Sequence, residues 1–444
     1  MPPRLSLQSL RCTALGPRAA PRLNRQQAWR IIGRSFSVTM KRDFESLMEM
    51  SGFSDTQLAV RDSVSKICSN YPDEYWAERD RTGEYPHDLH AALAKDGWIG
   101  IALPEELGGA GLGISEATMM LQTISESGAG IAGAQSIHAN VYATQPVSKF
   151  STPEQRSEFL APLVAGKTRA CFGVTEPNSG LNTLALSTTA TPTSDGYSIS
   201  GQKIWISSAQ VADNMILLAR TKALEDCKKP SEGLSLFFIP LNKSDPGLKL
   251  SRIPKMGACA IDANEVFFDG YQILNSALIG KEGDGFKIVL HGMNAERCLL
   301  AGEALGLGYA ALYRASKYAR EREVFGRKIG QNQGIAHPLA ECFMNLEAAK
   351  LATYHAARLY DNSKGEGDWK AVGTACNSAK YLAAEAAFKA CERAVLTLGG
   401  MGYAKEYHVE RYLRECWIPR IAPVSREMVL NFVGERVLGF PKSY

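Results

Sequence analysis

The sequence predicts an α+β fold in which a group of helices, a β-rich region and a helical bundle follow one another along the chain. Three observations support this prediction. Apolar residues recur at helical spacing over residues 44–165, and short β-rich runs separated by Gly, Asp, Pro and Ser fill residues 171–275. From Gly285 onward Ala, Leu, Glu, Lys and Arg dominate, as is typical of long helices. This order fits neither a βαβ alternation nor a repeat array.

Residues 1–36 are expected to be a mitochondrial transit peptide that directs the protein to the matrix. They contain seven arginines and several serines, and the first acidic residue of the chain is Asp43. Cleavage after Phe36 would take the formal net charge from +4 to −3. A mildly acidic mature chain gives no reason to expect nucleic-acid binding.

The N-terminal helices are predicted from capping and breaking residues. Ser54 and Gln57 have the spacing of a capping box at the start of the first helix. Pro86, Pro104 and the glycine cluster 108–113 interrupt the later helices. The cluster does not match G-x-G-x-x-G and no Lys-Ser or Lys-Thr follows it, so it predicts a turn rather than a phosphate-binding loop.

The central region is predicted to be an antiparallel barrel or sandwich. Its candidate strands are Tyr197–Ser200, Lys203–Ser207, Asn214–Ala219, Leu234–Pro240 and Asn264–Phe268. The ten cysteines form no CxxC pair and are expected to be reduced thiols. His87 and His90 have no further histidine or cysteine nearby, which makes a metal site improbable. No apolar stretch reaches the roughly 20 residues of a membrane span.

Five ordered motifs resemble the acyl-CoA dehydrogenase family over about residues 50–440. They are FGVTEPNSG (172–180), GQKIWIS (201–207), the group KMG, EVFFD and GKEGDGF (255–286), REVFG (322–326) and GGMGY (399–403). The resemblance implies an N-terminal helical domain (44–168), a β-barrel domain (169–280) and a C-terminal four-helix bundle (281–444). It also implies FAD-dependent α,β-dehydrogenation of an acyl-CoA, since flavin N5 accepts a hydride that no side chain can accept.

The resemblance further implies which residues hold FAD. Phe172, Val174 and Thr175 would contact the edge of the flavin ring, Trp205 would cover one face and Ser207 would face N5. Arg322 and Gln333 would reach the pyrophosphate and adenosine of a neighbouring subunit, which requires a homo-oligomer (dimer or tetramer). Further cofactor contacts are expected from Phe325, Gly399, Gly400, Ser425 and Glu427. Leu181 and Leu396 replace a serine and a glutamine that are common in relatives at FAD-binding positions.

The catalytic base is expected at Glu296. Many relatives carry it in a Tyr-Glu-Gly-Thr segment near the C-terminus, but here Pro423 takes the place of that glutamate. Other relatives carry the base in a Glu-Arg pair before an apolar helical run, which matches Glu296 and Arg297. Glu303 is the weaker contender. Met293, Asn294 and Arg297 are expected to contact substrate.

Three functions are therefore compared. The leading one is an acyl-CoA dehydrogenase that passes electrons to an electron-transfer flavoprotein. An acyl-CoA oxidase is disfavoured because the chain lacks a terminal Ser-Lys-Leu. A catalytically inactive scaffold relative is suggested by Pro423 and disfavoured by Glu296. The length and branching of the acyl chain stay open.

Overall fold

The computed structural model describes residues 47–363 and 369–443. The predicted transit peptide and its cleavage site lie outside the described residues. Within them, the predicted order of helices, sheet and helices is confirmed.

Seven α-helices form the described N-terminal region. They are α1 (Asp55–Cys68), α2 (Asp73–Thr82), α3 (His87–Lys95), α4 (Ile114–Ile124), α5 (Gly130–Tyr142), α6 (Thr144–Phe150) and α7 (Pro153–Val164). The capping box at α1 is confirmed, because Ser54 Oγ accepts from Gln57 N and Gln57 Oε1 accepts from Ser54 N, each at 3.1 Å. Such reciprocal bonds satisfy backbone donors that the first helical turn leaves unpaired.

The glycine cluster forms the turn that leads into α4, as predicted. A Cβ at Gly109 would lie 2.1 Å from the carbonyl oxygen of Leu103, so the backbone passes too closely for any larger residue. Asp361 then accepts from the amides of Ile114 (2.7 Å) and Ser115 (3.0 Å) at the start of α4. The cluster thus connects helices and binds them to the C-terminal region.

Eight strands form the central sheet. They are β1 (Ala170–Gly173), β2 (Thr189–Pro192), β3 (Gly196–Ser207), β4 (Asn214–Arg220), β5 (Leu234–Pro240), β6 (Leu248–Arg252), β7 (Ala263–Leu274) and β8 (Leu278–Ile279). Their order is β6-β7-β3-β2-β4-β5-β8, with β1 paired to β4. The prediction of a purely antiparallel barrel is wrong in one respect, because β1 and β2 pair parallel to β4. Among the described strands β6 and β8 end the path, so the pairing is that of an open sheet.

The two predicted strands at 197–200 and 203–207 are one strand, β3. Its pairing with β7 shifts register between Ile199 and Gly201 and again between Lys203 and Ile206. Gly201 has φ 142°, and a Cβ there would lie 2.7 Å from Thr188 Cα. Glycine and the irregularities let one strand bend where the sequence pattern looked interrupted.

The C-terminal region contains three long helices, α8 (Gly285–Glu321), α9 (Gln333–Ser363) and α10 (Trp369–Leu398). Three short helices follow in the described part of the chain: α11 (Val409–Glu415), α12 (Ile418–Ile421) and α13 (Arg426–Arg436). These three long helices pack together with α13 against α10, and α4 packs against α8 beside α9 and α10. A hairpin of β9 (Glu323–Val324) and β10 (Arg327–Lys328) joins α8 to α9.

Helix α8 is the central element, since it contacts α4, α5, α9, α10 and β5. Most of its residues from 294 to 312 are buried. Within the described residues, no helix combines the length and apolarity that a membrane crossing requires.

Candidate active site

Glu296 is a buried carboxylate on α8 that lacks a full set of partners. It is 9% exposed, and its Oε2 atom has no hydrogen-bond partner among the described residues. Burial raises the pKa of Glu296 to about 7, against the opposing charges of His138, Arg297 and Lys380 and with a further contribution from Glu303. An unpaired carboxylate with a pKa near neutrality is suited to take up a proton.

Glu303 lies on the same helix but is fully engaged. His138 Nδ1 lies 2.5 Å from its Oε1 atom, and Gln135 Nε2 donates to its Oε2 atom at 2.7 Å. Both partners come from α5. Because each oxygen already accepts from a neighbour, the geometry favours Glu296 over Glu303 as a base.

The other predicted substrate-binding residues adjoin Glu296 on α8. Arg297 Nη1 donates to Asn294 Oδ1 at 2.9 Å, and Arg297 Nε has no hydrogen-bond partner among the described residues. Asn294 is buried and Met293 is half-buried. Arg297 therefore offers an unpaired N–H group beside the carboxylate.

Lys380 on α10 is a cation near Glu296 that sequence reasoning missed. It is 1% exposed, and its Nζ atom donates to the carbonyl of Val424 at 2.7 Å. Burial and the neighbouring Arg297 lower the pKa of Lys380 to about 8, while Glu296 opposes the shift. The only signal in the sequence was a lone lysine in an alanine-rich helix, which ordinarily indicates a surface residue.

The predicted ring-edge residues Phe172, Val174 and Thr175 are held against β3. Ile204 N donates to the carbonyl of Thr175 at 2.9 Å, and Lys203 Nζ donates to the carbonyl of Val174 at 3.1 Å. The structure therefore brings the motifs at 172–180 and 201–207 together, as their resemblance implied.

A buried ion pair that sequence reasoning missed fixes this arrangement. Lys203 Nζ lies 2.8 Å from Glu176 Oε1, and Glu176 also accepts from the amides of Ser187 and Thr188. Burial acts to raise the pKa of Glu176, but Lys203 and the hydrogen bonds lower it to about 2. The signal was present as two charged residues inside otherwise strand-like motifs.

Trp205 and Ser207 project outward from the same end of β3. Trp205 is 56% exposed and has φ 61°, which is uncommon for an aromatic residue. An exposed indole beside the hydroxyls of Thr175 and Ser207 suits a flat, neutral ring with hydrogen-bonding edges. These residues fit the isoalloxazine ring of FAD.

Aromatic contacts connect this surface with the surroundings of Glu296. The ring of Phe172 lies 5.3 Å from that of Tyr142, and Tyr142 lies 4.9 Å from His138. Tyr142 and His138 both interact electrostatically with Glu296. The structure thus places the candidate base and the candidate flavin surface at one junction of α5, α8 and β1.

The remaining predicted cofactor residues lie elsewhere in the chain. Arg322 follows α8, 26 residues beyond Glu296, which corresponds to about 39 Å along the helix axis. Phe325, at the tip of the β9–β10 hairpin, is 99% exposed with φ 54°. Gln333, Gly399 and Gly400 are exposed as well. One chain therefore cannot bring Arg322 and Glu296 to the same flavin ring.

The C-terminal predictions have mixed local roles. Ser425 Oγ accepts from Met428 N at 3.3 Å and so caps α13, while Glu427 is exposed and lies 3.3 Å from Arg426. Leu181 and Leu396, the two departures from the family pattern, are both exposed.

The described residues contain no cluster of three or more potential metal ligands. The nine cysteines among them are all free thiols, in agreement with the prediction of reduced cysteines.

Comparison with known proteins finds the same family in three successive parts of the chain. Residues 54–167 match the acyl-CoA dehydrogenase N-terminal domain, residues 171–271 the middle domain and residues 283–438 the C-terminal domain. The acyl-CoA dehydrogenase FadE12 of Mycobacterium tuberculosis is 35% identical over 394 residues, which cover 88% of this chain and 98% of the relative.

Two further relatives extend the comparison. The caffeyl-CoA reductase-Etf complex subunit CarC of Acetobacterium woodii is 32% identical over 340 residues, or 76% of this chain and 86% of CarC. The structure of butyryl-CoA dehydrogenase from Megasphaera elsdenii superposes with a TM-score of 0.81 at 29% identity, covering 88% of this chain and all of that one.

Proposed function

The chain belongs to the acyl-CoA dehydrogenase family and catalyses FAD-dependent dehydrogenation of an acyl-CoA, and we propose that Glu296 is its catalytic base. One observation carries the assignment. Of the two glutamates on the buried face of α8, only Glu296 keeps an unpaired carboxylate oxygen, whereas Glu303 is bonded through both.

In this proposal Glu296 takes the α-proton of the acyl thioester. FAD, when bound, supplies the acceptor for the β-hydride. The burial that raises the pKa of Glu296 to about 7 makes its carboxylate a stronger base than an exposed glutamate. His138, Arg297 and Lys380 provide positive charge that keeps enough of the group ionised near neutral pH. Substrate that closes the site excludes water and strengthens these interactions.

We assign FAD and substrate to separate walls of the site. Phe172, Val174, Thr175, Trp205 and Ser207 would hold the flavin ring, supported by the Glu176–Lys203 pair beneath them. Met293, Asn294 and Arg297 would contact the thioester from α8. The free Nε of Arg297 supports this role, because a buried N–H without a partner is costly unless a ligand supplies one.

The distal part of FAD is assigned to two subunits of a homo-oligomer, either a dimer or a tetramer. Arg322, Phe325, Gln333, Gly399 and Gly400 are exposed, and Arg322 is far from the base of its own chain. The guanidinium of Arg322 suits a pyrophosphate. Ser425 and Glu427 would contribute to the adenosine half.

Electrons are proposed to leave through an electron-transfer flavoprotein. The relative CarC is named as a subunit of an Etf complex, which supports such a partner for this chain. We propose the domain limits 44–168, 169–280 and 281–444. We also propose that the protein is located in the mitochondrial matrix, on the basis of the arginine-rich residues 1–36.

Anaerobic flavin bleaching tests the base. Purified protein should lose its flavin absorbance with at least one acyl-CoA, and Glu296→Gln should retain FAD but bleach at least about 1,000-fold more slowly, as expected when a general base is removed. Glu303→Asp is the matched control on the same helix and should bleach within about tenfold of wild type. Wild-type rates in Glu296→Gln would refute the assignment. Rapid oxygen consumption in air would instead indicate an oxidase. Failure of every thioester to bleach the flavin would indicate a catalytically inactive scaffold.

A further inference from the structure

The space beside Glu296 has a polar wall. The exposed fraction is 9% for Glu296 and 5% for both His138 and Tyr142. Leu299 and Ala301 of the same region are fully buried. The first three side chains belong to two facing helices, α5 and α8. Glu296 interacts electrostatically with both His138 and Tyr142, so the three side chains lie close together beside the candidate base.

His138 presents an unused hydrogen-bonding atom to this space. Its Nδ1 atom is occupied by Glu303, whose second oxygen is occupied by Gln135. Among the described residues, His138 Nε2 makes no hydrogen bond, whereas Nδ1 is paired with Glu303. Burial acts to lower the pKa of His138, but Glu303 raises it overall, which favours the doubly protonated ring. In that form the free Nε2 atom is a donor.

The position of this donor follows from the reaction geometry. The reacting carbons must lie between Glu296 and the flavin surface at Phe172. Tyr142 packs on Phe172 and on His138, so the rings lead from the flavin surface to the donor. Glu303, which anchors the donor, lies seven residues beyond Glu296, or about 10 Å along α8. An acyl group that continued past the β-carbon toward the Glu303 end of α8 would meet His138.

A hydrocarbon tail would be a poor match for this wall. Covering the Nε2–H group of His138 with hydrocarbon would leave its hydrogen bond unmade, which costs free energy. A buried ion pair that served packing alone could be replaced by apolar residues at little cost. We propose that His138, oriented by Glu303 and Gln135, is a specificity-determining residue that recognises an oxygen on the acyl group, and that the substrates are hydroxylated acyl-CoA thioesters.

This inference rests on the proposed function and is tested with matched thioesters. One pair is hexanoyl-CoA and 6-hydroxyhexanoyl-CoA, and the other is 3-phenylpropionyl-CoA and 3-(4-hydroxyphenyl)propionyl-CoA. Anaerobic bleaching gives kcat/KM for each member. Calorimetric titration of the Glu296→Gln holoenzyme gives Kd without turnover. In at least one pair the hydroxylated member should be preferred by about tenfold or more in both measurements, as one hydrogen bond to a charged group allows.

Three variants test whether the polar wall causes the preference for hydroxylated thioesters. His138→Leu/Glu303→Leu replaces both partners with apolar groups and should reduce the preference to about twofold or less. His138→Leu alone serves if the double variant does not fold. His138→Gln keeps a donor and should retain the preference.

Equal or lower kcat/KM and affinity for the hydroxylated member of both pairs would overturn the inference and leave the proposed function intact. A preference that survives both leucine variants would overturn it as well. Bleaching by none of the four thioesters would overturn the inference, and the proposed function would fall with it only if no other acyl-CoA bleached the flavin.

Discussion

Lys380 Nζ donates a 2.7 Å hydrogen bond to the carbonyl oxygen of Val424 and so joins α10 to the loop that follows α12. Val424 comes directly after Pro423, which stands where many relatives carry the base. The same lysine interacts with Glu296 and is buried with it. The loop that contains Pro423 thus lies close, through Lys380, to the helix that carries the proposed base.

Replacing Lys380 should shift the pH dependence of the reaction. Glu296 acts as a base when ionised, so kcat/KM should rise with pH and level off above a pKa near 7. Lys380 is charged below its own pKa of about 8 and lowers the pKa of Glu296. In Lys380→Met the acidic limb of the kcat/KM profile should therefore move to higher pH.

Lys380→Arg is the control, because it keeps both the charge and a donor for Val424 and should keep the limb in place. If Lys380→Met lowered the stability of the protein but left the pH profile of kcat/KM as in wild type, Lys380 would have a purely structural role.

Glu296→Gln should stabilise the protein at alkaline pH. The pKa of Glu296 rises from 4.5 in the unfolded chain to about 7 in the folded one. The contribution of this group to the free energy of unfolding is therefore fully present below pH 4.5 and is lost as pH rises through 7. A neutral glutamine avoids this loss. The gain in free energy of unfolding should be about 3 kcal/mol at pH 8 and close to zero near pH 4.5. Urea denaturation across this range measures it, and a difference that does not change with pH would contradict a raised pKa.

The Lys203–Glu176 pair should support both stability and FAD retention. Lys203→Met leaves the Glu176 carboxylate buried without its cation, which typically costs about 3–5 kcal/mol. Lys203→Met/Glu176→Gln removes both charges and should lose less stability. Chemical denaturation measures the stability, and the FAD content after gel filtration measures the retention of FAD. If the single variant were as stable as the double one, the pair would not act as a coupled unit.

Mixing two inactive variants tests whether Arg322 acts across subunits. Arg322→Ala should weaken FAD binding, and Glu296→Gln should abolish proton removal. If Arg322 serves the partner's cofactor, a mixed dimer has one site with both residues intact, and random co-assembly restores about a quarter of wild-type activity. Co-expression with two affinity tags isolates the mixed species. Absence of recovery in the isolated mixed dimer would place Arg322 and Glu296 in the same site.

Several features were predictable because they depend on local sequence. The capping box of Ser54 and Gln57, the turn at the glycine cluster and the order of helices and strands all follow from spacing and residue type. The proximity of Thr175 and Ile204 followed from resemblance between motifs. The parallel pairing of β1 and β2 with β4 was missed, because strand order is set by contacts between distant segments.

The sequence by itself determined the family, the flavin chemistry and the two glutamates that could serve as base, because these depend on which residue types occur in which motif. Only the tertiary structure shows how the carboxylates of Glu296 and Glu303 differ in their hydrogen bonding. Both face the interior of one helix, but α5 brings His138 and Gln135 to Glu303 and nothing to Glu296 Oε2 among the described residues. A hydrogen-bond partner on another helix changes what a carboxylate can do, and its presence depends on packing rather than on local sequence.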